Sequence, residues 1–169
     1  MRAGRAFSGG VLGALAMSAV MGVLRLAGVP IDWELMLGSM VMDHLGPLTW
    51  LLGLGLNLIC GGVFGVLYAA TFEYGVKEAS AGMGSVVGAV HAVISGIALS
   101  FVPALHPLVP EIWPAPGVFL LALGAFGVLL FVVLHVIFGA IVGAHYAHSP
   151  AARQIVLGQR HRLRLFTRS

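Results

Sequence analysis

The stretch from Ile59 to Ala69 reads ICGGVFGVLYA, and 78 positions later the stretch from Ile137 to Ala147 reads IFGAIVGAHYA. Isoleucine, two glycines, tyrosine and alanine recur at the same five places, and both copies lie inside long apolar runs. Shortly before these copies, the equivalent positions carry Asn57 and His135. The match predicts a membrane protein built from two similar helical hairpins, which differ chemically where asparagine corresponds to histidine.

The composition of the chain supports a membrane protein. Hydrophobic residues make up 59% of the 169 residues and charged residues 9%, with a mean hydropathy of +1.01, whereas soluble domains contain roughly a quarter charged residues. A helix needs about 20 predominantly apolar residues to cross a bilayer. Four runs reach that length, at residues 7–29, 48–72, 83–105 and 118–146. We therefore predict an all-α polytopic bundle of four transmembrane helices over residues 1–148, followed by a basic juxtamembrane tail over residues 149–169.

The distribution of cations predicts the orientation of these helices. In the predicted topology, eight of the nine lysines and arginines lie on the side that holds both termini, and only Arg25 lies on the other side. Because cytoplasmic segments of membrane proteins are enriched in Lys and Arg, we predict cytoplasmic N and C termini. In the tail, arginines alternate with apolar residues, which is typical of a segment that lies on anionic lipid. Binding of nucleic acid is not expected.

Polar side chains share helix faces with glycines. Glycines four residues apart, such as Gly61 and Gly65, allow helix backbones to approach closely in lipid. Helical periodicity places several polar residues on the same faces, pointing into the bundle. This predicted polar layer contains Ser18, Asn57, His91, Ser95 and His135.

Three interpretations of the polar layer remain open. Side chains of this kind form interhelical hydrogen bonds in membrane proteins, which suits a structural role. His91 and His135 are also candidate ligands of a haem iron or a transition metal, because imidazoles on neighbouring helices suit both groups. The third interpretation is a proton or small-solute path with one of these histidines as the relay.

A second group of polar residues lies in the predicted loops on the side opposite the termini. Its members are Asp32, Glu34, Asp43, His44, His106 and Glu111. Four of them, Asp43, His44, His106 and Glu111, are candidate metal ligands because imidazole and carboxylate groups bind zinc, copper and similar ions. Their spacing fits no compact metal motif, so a solvated loop surface is the alternative. The apolar segment from Leu35 to Met42 is too short to span, and we predict that it lies along the interface or extends the second helix.

The chain resembles a bacterial family of small four-helix membrane proteins of unknown function. The resemblance is carried by GGVLGALAMSAVMGVLRLAGVPID, LGSMVM, LNLICGGVFGVLYA and LHVIFGAIVGAHYA. Met17 and Ser18 match a Met-Ser or Met-Thr pair in the first helix of that family, whereas Asn57 replaces the histidine of its second helix. The resemblance implies a four-helix fold and a location in the bacterial inner membrane, with no established activity to carry over.

The sequence contains no enzyme signature: it has no phosphate-binding loop, no HExxH and no CxxC. We therefore predict a non-enzymatic protein of the lipid bilayer that needs no cofactor. It would be an accessory or scaffold subunit or a minimal carrier, with its helices packed through glycine-rich faces, and its partner would be a membrane protein or a second copy of the chain. The alternatives are a haem or transition-metal protein and a small-solute or proton transporter.

Overall fold

The computed structural model of the chain describes residues 1–147, so the predicted basic tail and its contact with anionic lipid lie outside the described residues. The helices are α1 (Ala3–Leu26), α2 (Trp33–Ser39), α3 (Pro47–Ala70), α4 (Ala81–Ala98), α5 (Val102–Leu105) and α6 (Gly124–Ala147). A π-helical turn, Thr71–Val76, continues α3, and 3-10 segments follow α4 (Leu99–Phe101) and precede α6 (Val118–Leu123).

Four helical stretches are long and apolar enough to cross a membrane. They are Ala3–Leu26, Pro47–Val76, Ala81–Leu105 and Val118–Ala147. Each overlaps one of the four predicted spans, and the prediction of an all-α polytopic bundle is confirmed. The apolar segment near Met36 forms the short helix α2 and packs against the start of α3.

Local sequence explains where the long helices begin and end. The residue after α1, Ala27, is followed by Gly28, whose φ of +90° suits glycine. Pro47 occupies the first turn of α3, where its missing N–H leaves no helical hydrogen bond unmade. Ser80 caps α4, because its side chain accepts a hydrogen bond from the Met83 N–H at 3.0 Å.

Close backbone contacts hold the long helices in two pairs. In the first pair, Gly10 of α1 lies against the Gly61 carbonyl and the Gly65 Cα of α3. In the second pair, Gly84 of α4 lies in the same way against the Gly139 carbonyl and the Gly143 Cα of α6. A Cβ atom at any of these glycines would overlap backbone atoms or a small side chain of the partner helix. In each pair, the two backbones thus come closest where both helices carry glycine.

The two hairpins meet along α1 and α6. Gly13 of α1 lies against the ring of Phe138, which is 3% exposed. By contrast, the backbones of α3 and α4 scarcely approach each other, and these helices meet through side chains, with Phe64 and Tyr68 of α3 against His91 of α4. The long helices thus follow the order α3, α1, α6, α4 across the bundle.

Polar contacts close the two ends of the bundle. At the end that holds the N-terminus, which we call the terminal face, the Tyr146 hydroxyl donates to Glu73, and the Arg5 Nε donates to the His145 carbonyl at 3.0 Å. At the other end, which we call the loop face, Arg25 forms an ion pair with Asp32 at 2.9 Å. The Arg25 guanidinium also lies 5.5 Å from the centre of a tryptophan ring, that of Trp50.

Candidate functional site

A cavity of about 370 Å³ lies in the middle of the bundle, between the four long helices and α2. Most of its lining is apolar, including the side chains of Met17, Met21, Leu134 and Phe138. Its polar lining residues are Ser18, Glu34, Asn57, His91, Ser95 and His135. The five residues of the predicted polar layer thus lie around one space, together with a carboxylate that the sequence analysis assigned to a loop.

On the side of the first hairpin, the polar groups of the cavity bind each other. The Asn57 amide of α3 donates to the Ser18 hydroxyl of α1 at 3.0 Å. This bond spans the two helices that already touch at Gly10 and Gly61. The pair therefore acts as an interhelical hydrogen bond, one of the roles predicted for the polar layer.

On the side of the second hairpin, two imidazole rings meet edge to face. The ring centres of His91 on α4 and His135 on α6 are 4.9 Å apart, with their planes at 82°. The Nδ1 atom of His135 lies 2.8 Å from the Phe131 carbonyl oxygen, which can only accept. His135 therefore carries a hydrogen on Nδ1, and in the neutral ring its Nε2 atom is an acceptor.

His91 is held from the other hairpin. Its Nδ1 atom lies 3.1 Å from the hydroxyl of Tyr68 on α3, and the ring of Phe64 lies with its centre 4.2 Å away. Neither Nε2 atom of the two histidines forms a hydrogen bond within residues 1–147. Each imidazole thus has one nitrogen fixed by the protein and one nitrogen left for another partner.

The contact between the two rings limits how they could hold a cofactor. Two axial imidazoles of a haem lie on opposite sides of the iron and its macrocycle. Because the His91 and His135 rings touch, that space is not present between them in this arrangement. No cluster of three or more His, Cys, Asp or Glu side chains suited to a metal ion occurs within residues 1–147.

Glu34 is the most unusual residue of the cavity. Its side chain is only 2% exposed, and its Oε1 atom has no hydrogen-bond partner in the described part of the chain. The expectation that it belongs to a solvated loop surface is wrong, because α2 folds back onto α3. Asp32 caps this helix by accepting from the Leu35 N–H at 3.0 Å.

Glycine contacts hold α2 in this position. Gly38 of α2 lies against the Thr49 carbonyl, and Gly53 of α3 lies against the Glu34 carbonyl. The backbones of the two helices therefore touch, and α2 covers the cavity at the loop face with Trp33, Glu34 and Leu37. The position of the carboxylate is a consequence of this tertiary contact.

The four candidate metal ligands of the loops are not gathered into one cluster. His106 is 4% exposed; its Nδ1 accepts from the Leu108 N–H at 3.1 Å, and its Nε2 donates to the Met36 carbonyl at 2.9 Å. The Nε2 atom of His106 therefore fastens α2, and its Nδ1 atom is used within its own loop. Asp43 and His44 pair with each other at the surface, with 3.5 Å between Oδ1 and Nδ1, and Glu111 is also exposed.

The cavity has a side opening between the two hairpins. Cys60 and Phe64 on α3 and Ala98 on α4 line the cavity and are also exposed on the outside of the bundle. Here the α3 and α4 backbones stay apart, and the Phe64 ring lies against His91 at the edge of the cavity. Both helices are long apolar spans.

Comparison of the chain with protein-family models, with curated proteins and with solved structures found no match. The function therefore has to be inferred from the geometry of the site itself.

Proposed function

We propose that the protein is a non-enzymatic membrane protein that binds a small, mainly apolar molecule in its central cavity and acts as a minimal carrier. The observation that carries this proposal is the cavity of about 370 Å³. Small-molecule sites in proteins have volumes of roughly 300–1,000 Å³ and apolar walls with a few polar groups. The lining described above has this character, with six polar residues among many aliphatic and aromatic ones.

The packing of the helices supports a carrier over a scaffold. The glycine contacts join α1 to α3 and α4 to α6, whereas α3 and α4 meet only through side chains such as Phe64, Tyr68 and His91. If these side chains move apart, the gap between α3 and α4 can widen while both glycine-packed hairpins stay intact. A scaffold or accessory subunit needs an outer surface for its partner or for a second copy, and a cavity in its centre would serve no purpose there.

The proposal includes the origin and orientation of the fold. The contacts of Gly10 with Gly61 recur as those of Gly84 with Gly139, which supports duplication of one hairpin. Among the described cations, Arg2, Arg5 and Lys77 belong to the terminal face and Arg25 to the loop face. This distribution supports cytoplasmic termini. Membership of the bacterial family of small four-helix membrane proteins, and with it the bacterial inner membrane, belongs to the same proposal.

A second candidate function is the binding of a transition metal by His91 and His135. The observation in its favour is that the two rings meet while each keeps an Nε2 atom free of hydrogen bonds within residues 1–147. An absorption spectrum and metal analysis of the purified protein test it. One equivalent of metal that is lost in His135→Ala would support this function, and a metal-free, colourless protein would contradict it.

The carrier proposal can be tested by filling the cavity. Ser95 lines it, whereas Ser85 lies ten residues earlier on the same helix, α4, outside the lining. The probe is 4-fluoroneopentylbenzene, a neutral molecule followed by fluorine NMR, because bound probe and probe dissolved in lipid give separate resonances. Wild-type protein in nanodiscs should show a saturable bound resonance with one site per chain.

The matched variants give the decisive comparison. Ser95→Phe should weaken binding of the probe on the order of tenfold or more, because the ring occupies the space that the probe needs, and Ser85→Phe should leave binding unchanged. A bound resonance that is absent from the wild type, or that survives Ser95→Phe at full strength, would contradict the proposal. Empty nanodiscs serve as the control for partition into lipid.

A further inference from the structure

The Glu34 carboxylate has no counter-ion within residues 1–147. Arg25, the described cation of the loop face, is paired with Asp32 at 2.9 Å. The other described cations, Arg2, Arg5 and Lys77, belong to the terminal face. Within residues 1–147, no lysine or arginine lines the cavity.

A buried carboxylate without a counter-ion points to a missing partner. Removing a charged or polar group from water without giving it a partner is unfavourable, so buried charges in proteins are paired or bind ligands. Glu34 is held in its buried position by the backbone contact between its own carbonyl and Gly53, and by the cap that Asp32 provides. The fold therefore keeps an unpaired acceptor at the wall of a cavity that is large enough for a small molecule.

The other side chains that line the cavity indicate which kind of ligand could pair with Glu34. Aromatic rings line the cavity, among them Trp33, Phe131 and Phe138, and aromatic faces attract cations. Glu34 does not belong to a group of three or more metal-ligating side chains among the described residues, so a bare metal ion is not the partner that suits it. A volume of about 370 Å³ with mostly apolar walls fits an organic cation with an apolar body.

Building on the proposed small-molecule function, we propose that the occupant of the cavity is an amphipathic organic cation whose ammonium group pairs with Glu34. The apolar body of the molecule lies against the methionine, leucine and phenylalanine side chains. Such a molecule reaches the cavity from the bilayer through the opening between α3 and α4. Glu34 is then the residue that makes the cavity prefer a cationic ligand over a neutral one of the same shape.

A pair of isosteric probes tests the role of charge. The cation is 4-fluorobenzyltrimethylammonium, and the neutral partner is 4-fluoroneopentylbenzene, which has carbon in place of the ammonium nitrogen. Both are titrated into full-length protein in nanodiscs of uncharged lipid and followed by fluorine NMR. The wild type should bind the cation at least tenfold more tightly than the neutral probe.

The variant Glu34→Gln removes the charge and keeps the size of the side chain. It should weaken binding of the cation on the order of 30-fold, because an ion pair shielded from water contributes strongly to affinity. It should change binding of the neutral probe less than twofold. Glu111→Gln, which removes an exposed carboxylate of the loop face, is the matched control and should change neither affinity.

The outcomes separate this inference from the function on which it rests. If both probes bind and Glu34→Gln changes them equally or not at all, the role of Glu34 is overturned while the cavity function stands. If neither probe binds to the wild type, both proposals fail. If Glu34→Gln does not fold, the charge preference of the wild type decides: a preference for the cation supports the inference, and equal affinities overturn it.

Discussion

The two hairpins share one mode of packing and differ in their chemistry. In both, a glycine of the first helix touches the carbonyl of a glycine in the second helix, at Gly10 and Gly61 and again at Gly84 and Gly139. In the first hairpin the polar residues Ser18 and Asn57 satisfy each other. In the second, His91 and His135 meet at their rings, and each bonds elsewhere through Nδ1.

This chemical difference between the hairpins distinguishes residues that pack the helices from residues whose polar atoms have no partner within residues 1–147. Glycine contacts fix the helix spacing in both hairpins, so the surrounding side chains can differ without a change in backbone packing. The amide of Asn57 is engaged with Ser18, whereas the Nε2 atoms of both histidines form no hydrogen bond within residues 1–147. Within residues 1–147, the unpartnered polar atoms of the cavity therefore include the Nε2 atoms of the second hairpin and the Oε1 atom of Glu34, which lies in the connection between α1 and α3.

The largest effect should come from enlarging a glycine in either hairpin. Gly61→Leu and Gly139→Leu should each lower the free energy of unfolding by about 3 kcal/mol or more, because the new side chain meets atoms of the neighbouring helix. The free energy is measured by titration with SDS in mixed micelles. Similar losses in both variants would support the shared mode of packing.

The matched control is Gly22→Leu in α1, since no atom of the described residues lies within 4 Å of a Cβ at that position. It should change the free energy of unfolding by less than about 0.5 kcal/mol. If the control is as unstable as Gly61→Leu and Gly139→Leu, close contact at glycine is not what holds the hairpins together.

Removing the hydrogen bond between Ser18 and Asn57 in the first hairpin should have a smaller effect on the free energy of unfolding. Asn57→Ala and Ser18→Ala should each lower the free energy of unfolding by about 1 kcal/mol, because each removes the same hydrogen bond. In a double-mutant cycle, the double variant should be less destabilised than the sum of the single variants, with a coupling of about 0.6 kcal/mol. Strictly additive losses would show that the two side chains do not interact.

The smallest effect should come from the bond that crosses between the hairpins. Tyr68→Phe removes the hydroxyl that lies 3.1 Å from His91 and keeps the aromatic ring. The free energy of unfolding should fall by about 0.6 kcal/mol. In nitrogen NMR, the Nδ1 resonance of His91 should shift, while that of His135, held by the Phe131 carbonyl, should shift much less. An unchanged His91 resonance would rule out this bond.

Periodic features of the sequence predicted much of the fold. The length of the apolar runs predicts the four spans, and helical periodicity places Asn57, His91 and His135 on inward faces. These features are local, because each depends on residues of a single helix. The same local information predicted that the segment near Met36 could not span.

The position of Glu34 could not be predicted in the same way. It depends on contact of α2 with α3 through Gly38 and Gly53, and no pattern within seven residues of helix reveals such a contact. The one available signal was that Glu34 is the only charged residue between Trp33 and Met42. The role of His106 could not be predicted either, because its Nε2 atom bonds to the carbonyl of Met36, which lies 70 residues earlier in the chain.

The most direct test of the central claim is native mass spectrometry of the protein released from its own membrane. The account predicts that the wild type and Ser85→Phe each carry one small molecule of the same discrete mass, and that Ser95→Phe carries none because its cavity is filled. Wild-type protein without a bound molecule, or Ser95→Phe with the same adduct as the wild type, would contradict the claim that the cavity is a binding site.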